Sequence, residues 1–445
     1  MKRKIARIIT AILVVGMVVT MVGCGKKEMK VKKNESESVP KGIFSATIEE
    51  TVIIDEAGVK VTAKELLYTD YSVELELLIE NNSDRNLQFH AGTLGNSSNS
   101  INGYMIGDGY IGEDVAAGMS ATEKVSFSIE NLLMYGIEDI ADITLGIDIK
   151  DDNYDEYLPL TQKTIKTSIA DKYDYKKDTF MEAMDSEIYT KLVGATIDSS
   201  TKEELFDKQG IKSLCTYVIT NKEGTQGLLF EVINNSGKDQ YASINAVQLN
   251  GIQVYGGTWD NQFINAGKRA VMYIDTSKLM DKNMQSQYGI DAFSQISFTL
   301  GVHDNDYRMI GDTKVELEFG NTKNVDQTGD VVYEANDLKI ISKGISKDDY
   351  DNLHILFLAQ NNGSKELDIG STSEVYIEKQ KAGSAFISAA ILPGTSTMID
   401  AEVPSYEYED VVKDVKDIKE ISMQIEIRDE NYKEIDKPTL EIKIK

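Results

Sequence analysis

The sequence predicts an all-β chain made of three antiparallel β-sandwiches in tandem. Two recurring patterns and the spacing between them predict it. Leu75, Leu77 and Ile79 alternate into Asn81-Asn82-Ser83. Leu228, Phe230 and Val232 do the same into Asn234-Asn235-Ser236, and Ile355, Phe357 and Ala359 into Asn361-Asn362-Gly363. Period-2 apolar alternation running into Asn, Ser and Gly is a half-buried strand ending in a turn. Later in each unit a second alternating strand meets an acidic turn: Asp151-Asp152-Asn153-Tyr154, Asp304-Asn305-Asp306-Tyr307 and Asp429-Glu430-Asn431-Tyr432. The second Asn and the Tyr stand 72, 72 and 70 residues apart, which marks an internal repeat.

Unit by unit, the starts also correspond. Asp55-Glu56-Ala57-Gly58 parallels Asp207-Lys208-Gln209-Gly210, and more loosely Glu334-Ala335-Asn336-Asp337. Gly118, Gly267 and Gly394 each open a later strand, and Asn102-Gly103 returns as Asn250-Gly251 but has no Asn-Gly counterpart in the third unit. Short helical or irregular pieces are expected near 131–140, 278–288 and 406–418. The first two units are spaced more widely than the last two. In the extra segment Phe180, Met181, Met184, Ile188, Tyr189 and Leu192 follow helical spacing, which predicts a linker helix over 179–193. Thr179 and Glu182 read as its capping box and Gly194 as its C-terminal glycine.

Residues 1–23 read as an export signal. Lys2, Arg3, Lys4 and Arg7 precede the apolar run from Ile8 to Val22, too short to span a bilayer and of signal-peptide length. The run ends in Met21-Val22-Gly23-Cys24, which resembles a bacterial lipoprotein lipobox with Met where Leu is usual. The resemblance implies that Cys24 carries a lipid and becomes the mature N-terminus, on the outer face of the cytoplasmic membrane. Residues 24–42 form a basic tether, so lipid and lysines together make a two-signal anchor. The expected organisation is signal 1–23, tether 24–42, a first sandwich over 43–169, linker helix plus second sandwich over 170–325, and a third sandwich over 326–445.

The strand into Glu80-Asn81-Asn82-Ser83, Ile101-Asn102-Gly103-Tyr104, Asp114-Val115-Ala116-Ala117-Gly118 and the strand from Ile140 resemble the Ig-like β-sandwich domains repeated in Gram-positive surface lipoproteins. The resemblance covers most of residues 50–445. It implies three tandem Ig-like domains, which the spacing joins with a short helix between the first two, and a fold without an assigned activity.

The chemistry is sparse. In 445 residues there are two cysteines, three histidines and one tryptophan, and the net charge is −26. Such an acidic chain is not built for nucleic acid. No metalloprotease, nucleophile-elbow, Walker or dinucleotide motif occurs, so no catalytic residue, metal site or cofactor is expected. His90, His303 and His354 hold no equivalent repeat positions, and His354 is expected at the surface of a strand. Cys215, in a strand without a second thiol or basic neighbour, is expected to be buried and inert. The acidic turns lack the 12-residue EF-hand layout, and Asp and Asn hydrogen-bonding their own backbone account for them.

Aromatics supply the ligand-binding candidates: Tyr104, Tyr110, Tyr255 and Trp259. An aromatic stands eight residues before each of the three glycines, as Tyr110, Trp259 and Phe386. An exposed ring there could stack on a sugar or anchor a peptide, although recurrence at one repeat position favours packing. The expected function is non-catalytic: binding or scaffolding of a cell-envelope protein, wall polymer or other glycan, or extracellular ligand. The alternative is a structural spacer without a specific ligand.

Overall fold

A computed structural model describes residues 44–92, 98–222, 224–254, 261–275, 286–290, 293–319, 325–348 and 350–444. The signal, Cys24, the tether, Tyr255, Trp259 and most of the piece at 278–288 lie outside them. The chain is mainly β, 57% strand and 8% helix, and its strands form three sheets. Among the described residues no helix is long and apolar enough to cross a membrane. The chain packs as two compact units, one of residues 1–243, 260–274 and 301–312, the other of 244–259, 275–300 and 313–445.

In the first unit, the strands Thr51–Glu56, Val59–Tyr68, Ser72–Asn81 and Met119–Ser128 form an antiparallel sheet in that order. Alternation decides its inner face: Val73, Leu75, Leu77 and Ile79 are fully buried, while Glu74, Glu76 and Glu80 point away. They pack with Phe89, Ile143, Leu145, Ile147 and Ile149 of a second sheet, which carries Leu87–Ala91, Ile111–Val115, Asp142–Asp151 and Glu156–Lys166. Two packed layers around one core is the β-sandwich arrangement.

In the second unit, Asp330–Ala335, Leu338–Lys347, Leu353–Asn361 and Ser396–Val403 repeat that first sheet. Leu367–Ile377, Gln380–Ile391, Glu420–Gln424 and Thr439–Lys443 bring Val375, Ile377, Ile421 and Ile442 to its core. Strand Leu353–Asn361 departs from the expected single buried face. His354, Leu356 and Leu358 on its other side are buried as well, and Tyr288 closes over it with its hydroxyl donating to the Phe357 carbonyl at 2.6 Å.

The repeated asparagines act as internal clamps. Asn81, Asn234 and Asn361 are all buried. Each Nδ2 donates to two carbonyls: Arg85 and Val115, Lys238 and Ile264, or Lys365 and Ile391, all at 2.7–2.9 Å. Each Oδ1 accepts the amide two residues on, from Ser83, Ser236 or Gly363. A buried amide so fully satisfied ties a strand end to its turn and to the next strand.

The third repeat keeps a turn that its sequence conceals. Asn102-Gly103 and Asn250-Gly251 have φ of 51° and 89°, and 51° and 82°. Two central residues with positive φ suit a two-residue hairpin turn. Glu378-Lys379 takes the same shape at 49° and 67°. Oδ1 of Asn102 accepts the amides of Ala141 and Asp142, and Oδ1 of Asn250 those of Ser294 and Gln295. Oε1 of Glu378 accepts those of Lys419 and Glu420 at 2.7 and 3.0 Å. A longer acidic side chain does the work of the asparagine.

The helical pieces are short. Helix α1 is Ile129–Met134. The linker expected as one helix is two, α2 (Thr179–Asp185) and α3 (Ile188–Val193). Glu187, at φ 63°, interrupts them, because a left-handed residue cannot continue a right-handed helix. The cap is Asp178, whose Oδ1 accepts the Met181 amide at 2.8 Å, and not the expected Thr179. Thr179 instead donates its hydroxyl to the Tyr135 carbonyl. Gly194 closes α3 in the left-handed conformation, as its position predicts. Helix α4, Ser405–Tyr408, and a 3-10 turn at Val415–Asp417 fill the late piece.

Candidate functional site

Two of the three aromatics at the shared repeat position are surface residues. Tyr110 is 61% exposed and Phe386 70% exposed, which corrects the packing role that recurrence suggested. Phe386 lies on Gln380–Ile391 opposite Glu402, and Glu402 lies opposite His354. Asn352 donates to Glu402 Oε1 at 2.8 Å and accepts from the Ser405 amide. This row joins Phe386 to two segments bearing the exposed rings Tyr350 and Tyr406.

Tyr104 is not available as a ligand contact. It is 2% exposed and packs on Tyr135, with ring centroids 5.7 Å apart. Its hydroxyl enters a buried polar cluster in the first unit. Glu231 sits in the middle of strand Gln226–Asn234, fully buried, at a position where Leu78 and Leu358 stand in the other repeats. Arg269 Nη1 lies 3.1 Å from Glu231 Oε1 and 2.9 Å from Asp178 Oδ2. The same nitrogen is 3.4 Å from Tyr104 Oη, and the guanidinium carbon sits 5.7 Å from that ring's centroid. Cys215 is buried as expected and donates its thiol to Glu231 Oε2 at 3.4 Å.

Burial, then the neighbouring Asp178 carboxylate, pushes Glu231 up to about 8, although Arg269 opposes the shift. Asp178 meets the guanidinium nearer the surface, and the deeper carboxyl of Glu231 is the one whose proton affinity is raised. Burial and Glu231 raise the Cys215 thiol, so it is no nucleophile. The cluster joins α2 to the strands around it.

His354 corrects a second expectation: it is buried. Burial alone would lower its pKa, but Asp400, 2.8 Å from Nδ1, and Asp348, 3.5 Å from Nε2, bring it to about 9. The ring is a protonated structural cation between two carboxylates.

The acidic turns are hairpin turns. Asp151 Oδ1 accepts the amides of Asn153 and Asp155, Asp304 Oδ1 those of Asp306 and Arg308, and Asp429 Oδ1 those of Asn431 and Lys433. Among the described residues no group of three or more His, Cys, Asp or Glu side chains could hold a metal ion. An open hollow of about 470 Å³ beside Asp304 is lined by Lys238, Asp239, Ala266 and Asp306. The tyrosine that ends each turn marks the repeat in the sequence but was not among the ligand-binding candidates. Tyr154, Tyr307 and Tyr432 have φ of 64°, 58° and 61° and are 69%, 54% and 75% exposed. Their recurrence at one place after Asp-x-Asn/Asp was the available signal.

No protein-family model matches the chain, and no curated protein matches it. Among solved structures it is similar to an exo-chitosanase of Amycolatopsis orientalis at 11% identity, over 48% of this chain and 25% of that one, with a TM-score of 0.17. It is similar to red sea bream transglutaminase at 10% identity, over 67% and 37%, also at 0.17. A Bacteroides uniformis β-glucuronidase matches at 11%, over 53% and 26%, at 0.16. The chain thus spans between 25% and 37% of these proteins, and likeness at such scores bears on no function.

Proposed function

We propose that the protein is a lipid-anchored surface protein of the bacterial envelope that binds or scaffolds through tandem Ig-like sandwiches, without catalysis. The observation that carries this reading is the exposure of Tyr110 and Phe386 at one repeat position. A large ring left in water at one repeat position is the residue type that anchors interfaces and stacks on sugars. Both buried titratable clusters support it: their charges are spent on one another, within the fold. The lipobox-like Met21-Val22-Gly23-Cys24 places the anchor on Cys24, and the basic tether supports contact with anionic lipid. The partner is an envelope protein, a wall polymer or an extracellular ligand.

In-cell crosslinking of the tagged protein tests this reading, with Cys24→Ala as the unanchored control and Tyr110→Ala/Phe386→Ala as the site variant. Capture of a reproducible partner or glycan that the site variant loses, at unchanged melting temperature, is the expected result. A folded, abundant protein with equal capture by both forms would overturn the aromatic site and favour the spacer.

A further inference from the structure

The two repeat-to-repeat junctions within the chain use one register. In the first unit, Tyr104, just after the Asn102-Gly103 turn, pairs in parallel with Arg269, two residues after Gly267, and the Arg269 amide donates to the Gly103 carbonyl at 2.8 Å. In the second unit, Ile252, just after Asn250-Gly251, pairs in parallel with Ser396, two residues after Gly394. Position for position the backbone pairing is the same: the strand that leaves one repeat's hairpin turn lies against the edge of the next repeat's glycine-led strand.

Each end of the series leaves half of this junction unused. In the first repeat the matching edge strand is Met119–Ser128, with Ser120 in the place of Arg269 and Ser396. Its sheet ends on this strand, and among the described residues nothing pairs with its outer edge. Asn81 lies opposite Met119, and at the matching place Asn234 donates its amide to the Lys268 carbonyl. Strand alternation then turns the Ser120 amide outward, as it turns that of Arg269. Ser120 is exposed, and Met119 beside it is 62% exposed. In the third repeat the turn Glu378-Lys379 takes the place of Asn-Gly, and Lys379 and Gln380, which follow the Gly103 and Tyr104 positions, are both exposed.

We propose that the chain associates head to tail with a second copy of itself, the Glu378-Lys379 turn of one copy docking on the Met119–Ser128 edge of the next. The Ser120 amide donates to the Lys379 carbonyl, and Ser120 pairs in parallel with Gln380. Unpaired strand edges accept such addition through main-chain hydrogen bonds. The occupant is a second copy because the junction already occurs twice in the chain, and because the serine at the open edge is the residue that the second junction uses. The two faces differ, so the contact is heterologous and propagates into open chains or rings. A net charge of −26 opposes it, so raised salt strengthens it.

The test uses the full chain in nonionic detergent, in salt high enough to screen its charge. One tagged population carries Ser120→Cys and another Gln380→Cys, and a short bismaleimide is added, with the unsubstituted chain as background. The expected result is a crosslinked dimer only when both populations are present, and a ladder when one chain carries both cysteines. Sedimentation should show association growing with concentration. Ser120→Pro, which removes an outward amide and no internal ladder bond, should weaken association about tenfold at unchanged melting temperature. Monomer at every concentration with no mixed crosslink would overturn the proposal. So would Ser120→Cys linking to itself as readily as to Gln380→Cys, or a folded Ser120→Pro chain that associates as before. If Ser120→Pro does not fold, the crosslinks decide.

Discussion

The two internal junctions share a backbone geometry and differ in nearly every side chain. At the first, Arg269 reaches into a buried cluster with Glu231, Asp178 and Tyr104. At the second, Ser396 replaces the arginine, Leu358 replaces the buried glutamate, and Gln253 Nε2 donates to the Ala390 carbonyl at 3.0 Å. The parallel backbone pairing therefore sets how one repeat meets the next, and the ionic cluster is an addition confined to one junction. Its addition makes that junction sensitive to a proton and to loss of a single charge, where the other is neutral.

The strongest way to break the contrast is Arg269→Met. It strips the cation from Glu231 and Asp178, and denaturant unfolding should show a loss of about 3–5 kcal/mol in the transition of the first unit. Adding Glu231→Leu, the residue type of the other repeats, should recover a large part of that loss. Should the single and double variants unfold alike, the cluster is not what distinguishes the junctions. At the second junction Ser396→Pro removes one interstrand donor, and the expected cost is about 1–3 kcal/mol with no change in pH dependence.

Titration sharpens the comparison. Glu231 is raised in the folded state, so its contribution is fully present below the ordinary carboxylate range and is lost as pH rises through about 8. His354 in the second unit is raised as well, and its contribution is fully present below about 6.5 and lost as pH rises through about 9. Melting followed from pH 4 to 10 should fall first through the Glu231 window. Glu231→Gln should flatten that early fall and leave the later one, while His354→Gln should do the reverse. The smallest effect is expected at Glu378→Ala, which frees the amides of Lys419 and Glu420 at the surface. A drop in melting temperature of a few degrees at most, reversed by Glu378→Asn, would confirm that this glutamate stands in for the turn asparagine.

Much of the β framework was legible because it repeats. Leu75, Leu77 and Ile79 with their two sets of counterparts showed the strands, and Asn81, Asn234 and Asn361 the turns. The buried clamp that those asparagines form was not visible, since an Asn before Ser reads equally well as a solvated turn. Glu378-Lys379 was hidden because a turn with positive φ is usually spelled with Asn or Gly, and here one long side chain supplies the missing acceptor. Tyr104 was misplaced for a different reason: its partners, the Tyr135 ring and the Phe180 backbone amide, are far away in the chain, and neighbouring glycines suggested an open loop. Glu231 has apolar neighbours on both sides in the sequence, which signals a strand and says nothing of Arg269 nearly forty residues later. The parallel pairs Tyr104–Arg269 and Ile252–Ser396 involve one or two residues each, too few to leave a period.

The hairpin turns also bear on how the protein ages. Asn-Gly is the dipeptide in which the backbone nitrogen of the glycine most readily attacks the side-chain amide, releasing ammonia and leaving aspartate or isoaspartate. Asn102 is held at both ends, its Oδ1 by two amides and its Nδ2 by the Asp139 carbonyl at 2.8 Å, and the Asn250 Oδ1 is held likewise by two amides. Folding therefore restrains the carboxamide that would have to rotate into the nitrogen's path. Loss of ammonia at these two sites becomes a clock that runs while the chain is open and nearly stops once it has closed. At the matching turn of the third repeat Glu378 takes that place, and this turn carries no such clock.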